Sequence, residues 1–399
     1  MKSPFSLAVS LVLLTILVTM IAMTVDQASS SDAMPDLAIS WQKIAETPPA
    51  HGQQKSYGVS GAFAGVLGNT IILAGGTNFP GGHPFFDGAS KRFYQEIFLL
   101  QQTANQLAHV KTAMLPEPVG YGATVQLHDK LYFVGGINAQ GALQMVYQLS
   151  LDATGEPVVL SVGRLPFSWS DGAAAFYADN LYLFGGKING QATNRVVELT
   201  LEQGSFVETD YRNEIPGAQQ RESFPYYQSG SAFYLFGGID SAPQNGEYVL
   251  TDAYKFDFEE KGWLGAVAPV TVQGQPFGVG GGAVVALNDD QLLILGGVNR
   301  DVFNQALQML NSLQGEALSA YKAEYFARSV EQFNFSRQQL IYSRSTNRWT
   351  VLAAEVPFAG GAGPIQAVAL DNQIYWLNGE VKPVFRTPDI YRGTMSGKL

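Results

Sequence analysis

Five segments of this chain run an apolar strand directly into a glycine pair. They are NTIILAGG, KLYFVGG, NLYLFGG, AFYLFGG and QLLILGG, ending on Gly75–Gly76, Gly135–Gly136, Gly185–Gly186, Gly237–Gly238 and Gly296–Gly297. A sixth, NQIYWLNG, ends on Asn378 and Gly379. They recur about every 50–60 residues, with one longer gap before the last, and self-similarity of this kind marks a repeat architecture. Most are preceded by a second strand and an Asn/Asp turn, as in YGATVQLHDKLYFVGG and GGAVVALNDDQLLILGG, which reads as a tight hairpin. A single small sheet cannot bury both of its faces, so such units must stack on one another.

In several repeats a strand with Tyr follows, and then a Trp. Tyr342 and Trp349 bracket the turn SRSTNR, and Tyr254 and Trp263 a looser one. Glycine pair, Tyr, then Trp resembles the Kelch repeat, which implies a four-stranded blade per repeat around a common axis. The expectation is an all-β, six-bladed Kelch β-propeller. SWQKIAETPP, with Trp41, reads as the last strand of a blade whose first strands come from GPIQAVALDNQIYWLNGE…PDIYRG. The chain ends would then close the ring as one composite blade, making residues 37–399 one domain. Residues 301–332 depart from the β pattern. Phe303, Leu307 and Leu310, then Leu318, Tyr321 and Tyr325, fall at helical spacing with Gly315 between them. Two short helices are expected there, as a surface decoration or as a cap over one end of the propeller.

The chain begins with Lys2 and an apolar run from Phe5 to about Val25, followed by small polar residues. This is the layout of an export signal, so residues 1–30 are expected to be a signal peptide or an uncleaved N-terminal anchor and the rest periplasmic. The composition fits delivery without disulfides: of 399 residues 46% are hydrophobic and none is Cys. Core burial alone must then hold the fold. The net charge of −10 and the scattered basic residues argue against a nucleic-acid surface. His51, His83, His109 and His128 lack ligand spacing and there is no thiolate, so no transition-metal site is expected. FGVGGGAVV precedes a strand rather than a helix, which removes the basis for a phosphate loop.

Loops after the inner strands of a propeller converge on the axis, and there the last repeat carries LNGEVKPVFRT. Glu380 in such a pocket can move protons, and Arg386 offers a planar fork to a carboxylate. A plain Glu–Arg ion pair that stabilises the loop is the competing reading. Lys382 sits between them. Asn78, Asn138, Asn299 and Arg300 follow other glycine pairs, and Arg221 and Glu222 precede the fourth; any single Asn can equally serve its turn.

GGVNRDVFN, the insertion with KAEYF, STNRW and WLNGEVKPVFRT together resemble, in sequence and order, the bacterial periplasmic N-acetylneuraminate epimerases, Kelch-type mutarotases of sialic acid. GAFAGVLGNTIILAGGTNFPGG is similar too, but stands near the N-terminus here, as in the cyclically permuted mutarotases. The resemblance implies exchange of the α and β anomers of N-acetylneuraminate by ring opening and reclosure. The family's proposed catalytic Glu falls on Glu380 and the Arg of the same motif on Arg386, implying proton transfer by the first and a hold on the substrate carboxylate by the second, with no metal or redox cofactor. Asn299 also matches, while Arg300, Arg221, Asn78 and Lys382 are candidate lining from their loop positions. Val384 and Phe385 are bulkier than the family spacer, and Arg300 departs from an amide, which bears on the sugar preferred. A non-catalytic Kelch module that binds protein or glycan, and a mutarotase for another sugar, are the alternatives.

Overall fold

The apolar runs ahead of the glycine pairs are buried on both faces. Thr70–Ala74 is buried at every residue, and Asn180–Phe184, Gln291–Leu295 and Gln373–Leu377 at all but the first. Continuous rather than alternating apolar residues are what a strand needs when other elements cover both sides. The computed structural model describes residues 37–103, 106–361 and 366–397; the signal or anchor expected at 1–30 lies outside them.

The architecture is all-β and propeller-like, with few helices. Four antiparallel sheets have four strands each. Three follow chain order: Phe63–Leu67 to Leu107–Met114, Tyr226–Ser229 to Gly262–Val267, and Ala283–Ala286 to Arg348–Val351. The fourth joins the chain ends: Gln366–Leu370, Gln373–Leu377 and Asp389–Ser396 are completed by Ala38–Glu46. In it Ala38 faces Ser396 and Glu46 faces Asp389.

The remaining large sheet has nine strands. It contains two meanders, Ala123–Leu127 to Pro157–Arg164 and Ala173–Tyr177 to Ser205–Glu208, linked by the single parallel pair Arg164 and Ser205. Val125, Val134 and Val146 of one meander pack on Leu181, Leu183 and Val197 of the other. Similar apolar layers lie between the other successive sheets, and the last joins Ala64, Ile71 and Leu73 to Tyr375, Leu377 and Ile390.

Residues 300–333 hold three helices rather than two: α1 (Arg300–Ser312), α2 (Gly315–Ala327) and α3 (Val330–Phe333). The third is one turn long, too short for an apolar period to register. Ala306, Tyr325 and Phe333 anchor the insertion on Val249 and Val298.

Most glycine pairs stitch their repeat to the next. Gly76 N–H donates to Val119 O at 2.8 Å, Gly136 to Trp169 O at 2.8 Å, and Gly186 to Arg221 O at 2.8 Å. Gly379 N–H donates to Val59 O at 3.2 Å, joining the last repeat to the first. Just before the inner strands a second set of bonds runs around the axis. Tyr121 N–H donates to Gly61 O, Asp171 to Tyr121 O, Ser223 to Asp171 O and Gly281 to Ser223 O, at 2.7, 2.8, 2.9 and 2.7 Å. All five residues are left-handed, with φ of 63°, 61°, 62°, 53° and 78° from Gly61 to Gly281. The inner strands below this hoop line an axial cavity of about 480 Å³.

Candidate functional site

The residue after each glycine pair stands beside the axial hoop. Thr77, Ile137 and Ile239 bridge to Ser60, Gly120 and Glu222, and Lys187 pairs with Ser170. In the last repeat that residue is Glu380. Asn378 takes the place of the first glycine of the pair and keeps the left-handed backbone with φ of 62°.

Glu380 and Arg386 face each other across a small hairpin of Glu380–Lys382 and Phe385–Arg386, with a bulge after Glu380. Val384 turns it at φ of 79°. Glu380 Oε2 lies 2.7 Å from Arg386 Nη2, and the two side chains are 9% and 3% exposed. Arg386 Nε donates to Ser60 Oγ at 3.0 Å and Nη1 donates to Val384 O. Its guanidinium lies 5.1 Å over the Phe79 ring. Among the described residues these contacts occupy three of the five N–H bonds of the fork. Burial pushes the Glu380 carboxyl above its ordinary 4.5; Arg386, the Val384 amide and Lys91 oppose it without reversing it. An ion pair at 2.7 Å argues for a lowered value, but desolvation of a nearly inaccessible carboxylate outweighs one cation whose fork is shared with other acceptors.

The axial cavity is walled by the inner strands and does not include Glu380 or Arg386 in its lining. The pair sits at its mouth, and Tyr121 belongs to both, lining the cavity while feeling the charges of Arg386, Lys91 and Glu380. Lys91 Nζ lies 5.0 Å over the Tyr121 ring. Next along the hoop, Asp171 and Glu222 hold Lys187 at 3.5 and 2.6 Å.

The insertion covers this end. Lys382 Nζ donates to Arg328 O at 2.8 Å, at the C-terminal end of α2, where a cation meets the unpaired carbonyls. Phe326 of α2 packs against His83 at 4.8 Å, and His83 also meets Phe86 and Phe385 at 4.8 and 5.9 Å.

Of the expected lining residues, only Lys382 shares the hairpin with Glu380 and Arg386. Asn78 is buried nearby, donating to Gly58 O and accepting from Tyr94 Oη, both at 2.6 Å. Asn299 caps α1 by accepting from Val302 N–H at 3.1 Å, and Arg300 pairs with Glu247 and Asp301. Arg221 is fully buried, its fork held by Asp252 and the Gly237 and Pro216 carbonyls. Asn138 donates to Glu117 at 3.3 Å. Among the described residues none of the contacts of Arg221, Asn299 or Arg300 reaches the Glu380–Arg386 pair. Tyr121 and Lys91 escaped the sequence reading. The usable signal was the column holding Gly61, Tyr121, Asp171, Ser223 and Gly281 once the inner strands are aligned.

A family model described as N-acetylneuraminate epimerase matches residues 23–160 and 212–399. The N-acetylneuraminate epimerase of Yersinia pestis (strain Pestoides F) is 30% identical over 190 residues, 46% of each chain. That of Salmonella arizonae is 30% identical over 183 residues, 45% of each. The match thus spans about half the length of these curated relatives. A solved structure described as that of YjhT superposes with a TM-score of 0.57 at 14% identity, covering 89% of this chain and 99% of that one.

Proposed function

The chain belongs to the N-acetylneuraminate epimerase family, and on that premise we propose that it interconverts the α and β anomers of N-acetylneuraminate. The observation that carries the reading is the buried Glu380–Arg386 pair at the mouth of the axial cavity. Glu380 takes the proton of the C2 hydroxyl as the bond from C2 to the ring oxygen breaks. The ring oxygen gains a proton, and the sugar becomes the open 2-keto acid. Rotation about C2–C3 offers the other carbonyl face, and reclosure returns both protons. Arg386 holds the C1 carboxylate, a role a planar fork suits better than a point charge. A neutral sugar would give this guanidinium no carboxylate.

The test is proton NMR of the C3 methylene while a sialidase releases the α anomer. Wild type is expected to speed the approach to equilibrium, and Glu380→Gln to lose ~10²–10⁴-fold of that acceleration while melting as a folded protein. A folded Glu380→Gln with full activity removes Glu380 from the reaction.

The proposal extends to the architecture. Six blades are supported by the two meanders of the nine-stranded sheet, which pack face to face and share only one bridge. Residues 37–399 then act as one domain, and an experimental density map with another blade count would overturn this. Export to the periplasm is supported by Lys2 and the apolar run from Phe5. Fractionation of cells carrying a C-terminally tagged chain tests it, with recovery from the cytoplasm as the contrary result.

A further inference from the structure

Anomer exchange needs two proton-transfer groups, one for the C2 hydroxyl and one for the ring oxygen, and Glu380 supplies only one. On the reading above, we propose that the Tyr121 phenol is the second, the group that protonates the ring oxygen.

Several independent features set Tyr121 apart. It is the only aromatic residue among the described hoop positions, the others being Gly61, Asp171, Ser223 and Gly281. A bulky residue at φ of 61° is costly, and the backbone is held there by bonds to Gly61 and Asp171 on either side. Space is reserved for its ring, since a Cβ on Gly61 would fall 2.7 Å from Tyr121 Cδ1. Its hydroxyl has one long contact, 3.4 Å to Thr77 Oγ1, so it is not committed to a strong structural bond. It lines the axial cavity and lies within electrostatic reach of Glu380, so a sugar seated at the mouth can meet both groups.

The charges around it suit the role. Burial would raise the phenol, yet Arg386 from the hairpin and Lys91 from the loop after the first glycine pair outweigh burial and the Glu380 charge, holding it below its ordinary 10.0. Glu380 is displaced upward and Tyr121 downward, so their proton affinities converge, which favours a pair exchanging protons with one substrate.

The steps balance. The Glu380 carboxylate takes the C2 hydroxyl proton, the C2–O6 bond breaks, and Tyr121 gives its proton to O6. This leaves the 2-keto acid with a C6 hydroxyl, a neutral Glu380 and a tyrosinate held by Lys91 and Arg386. On closure the tyrosinate takes the C6 hydroxyl proton, O6 adds to C2, and Glu380 protonates the C2 oxygen.

The experiment is the pH profile of anomer exchange, corrected for the protein-free rate, for wild type, Tyr121→Phe and Lys91→Met. Calorimetric binding of the α-methyl glycoside of N-acetylneuraminate, which cannot open, runs alongside. Tyr121→Phe is expected to bind the glycoside as wild type does but to lose ~10²–10⁴-fold in kcat. Lys91 is exposed, so Lys91→Met keeps the fold and, by removing a cation, moves the alkaline limb to higher pH. Tyr121→Phe within twofold of wild-type kcat overturns the proposal. Should that variant not fold, an alkaline limb unmoved in Lys91→Met overturns it instead. A wild type that accelerates nothing points instead to failure of the mutarotase reading.

Discussion

Asn378 carries a side chain where other repeats exclude one. A Cβ on Gly75 would lie 2.4 Å from Val119 O, and one on Gly135 2.3 Å from Trp169 O. Elsewhere the amides of Val119, Trp169 and Arg221 donate to the carbonyls of Tyr94, Leu143 and Thr193. Val59 donates instead to Asn378 Oδ1 at 3.1 Å, so the asparagine supplies an acceptor as well as tolerating the left-handed backbone. Asn378→Gly should therefore destabilise despite restoring the glycine pair. Leaving the Val59 N–H unpaired costs about 1–3 kcal/mol, readable from urea midpoints.

Glu380 gives a prediction with a definite sign. Its folded value lies above 4.5, so between the two the folded state holds more protons than the unfolded one. Stability then falls as pH rises through that window, and Glu380→Gln should flatten the fall in a series of melts. Arg386→Gln removes a group that lowers the carboxyl, so any residual activity should show its acidic limb at higher pH. Glu380 was legible because a carboxylate stands where Thr77, Ile137, Lys187, Ile239 and Val298 stand in other repeats, with Arg386 a few residues on in the same loop. Tyr121 was not, because its significance lies in a backbone angle and in neighbours from distant loops, and a Tyr before a β-run reads as an ordinary strand residue.

Among the elements, glycine pairs and apolar runs marked the inner strands because both have direct physical causes, tight approach and two-sided burial. The caps of the insertion were less visible. Asn299 was singled out as lining, yet its oxygen caps α1. Asn299→Ala should cost about 1 kcal/mol in thermal or chemical unfolding. Lys382 likewise serves the C-terminal end of α2. Lys382→Met should speed amide exchange in α2 while leaving the central strands protected, and activity should fall if the insertion excludes water from the mouth.

For the molecule as a whole, pairing of the chain ends was readable from Trp41 and the incomplete last repeat. The merging of two meanders into one hydrogen-bonded sheet was not, since Arg164 and Ser205 carry no sequence mark of their bridge. Removing residues 37–46 exposes the edge of Asp389–Ser396 and strips Trp41 from Phe358, whose rings lie 5.2 Å apart. Leu37 and Ile39 alone contribute about 1.5–3 kcal/mol each, so the shortened chain should melt well below the full one by calorimetry.

The register of that closing ladder also sets how the ring responds to force. Ala38 lies opposite Ser396 in an antiparallel pair, so the start of the first strand and the finish of the last share one end of the ladder. Tension applied between residues 38 and 396 loads one pair at a time and peels the seam, rather than shearing all its bonds together. A fold held by buried layers on every side would thus give way at its own ends under a modest pull, and the first strand to leave would be the one carrying Trp41.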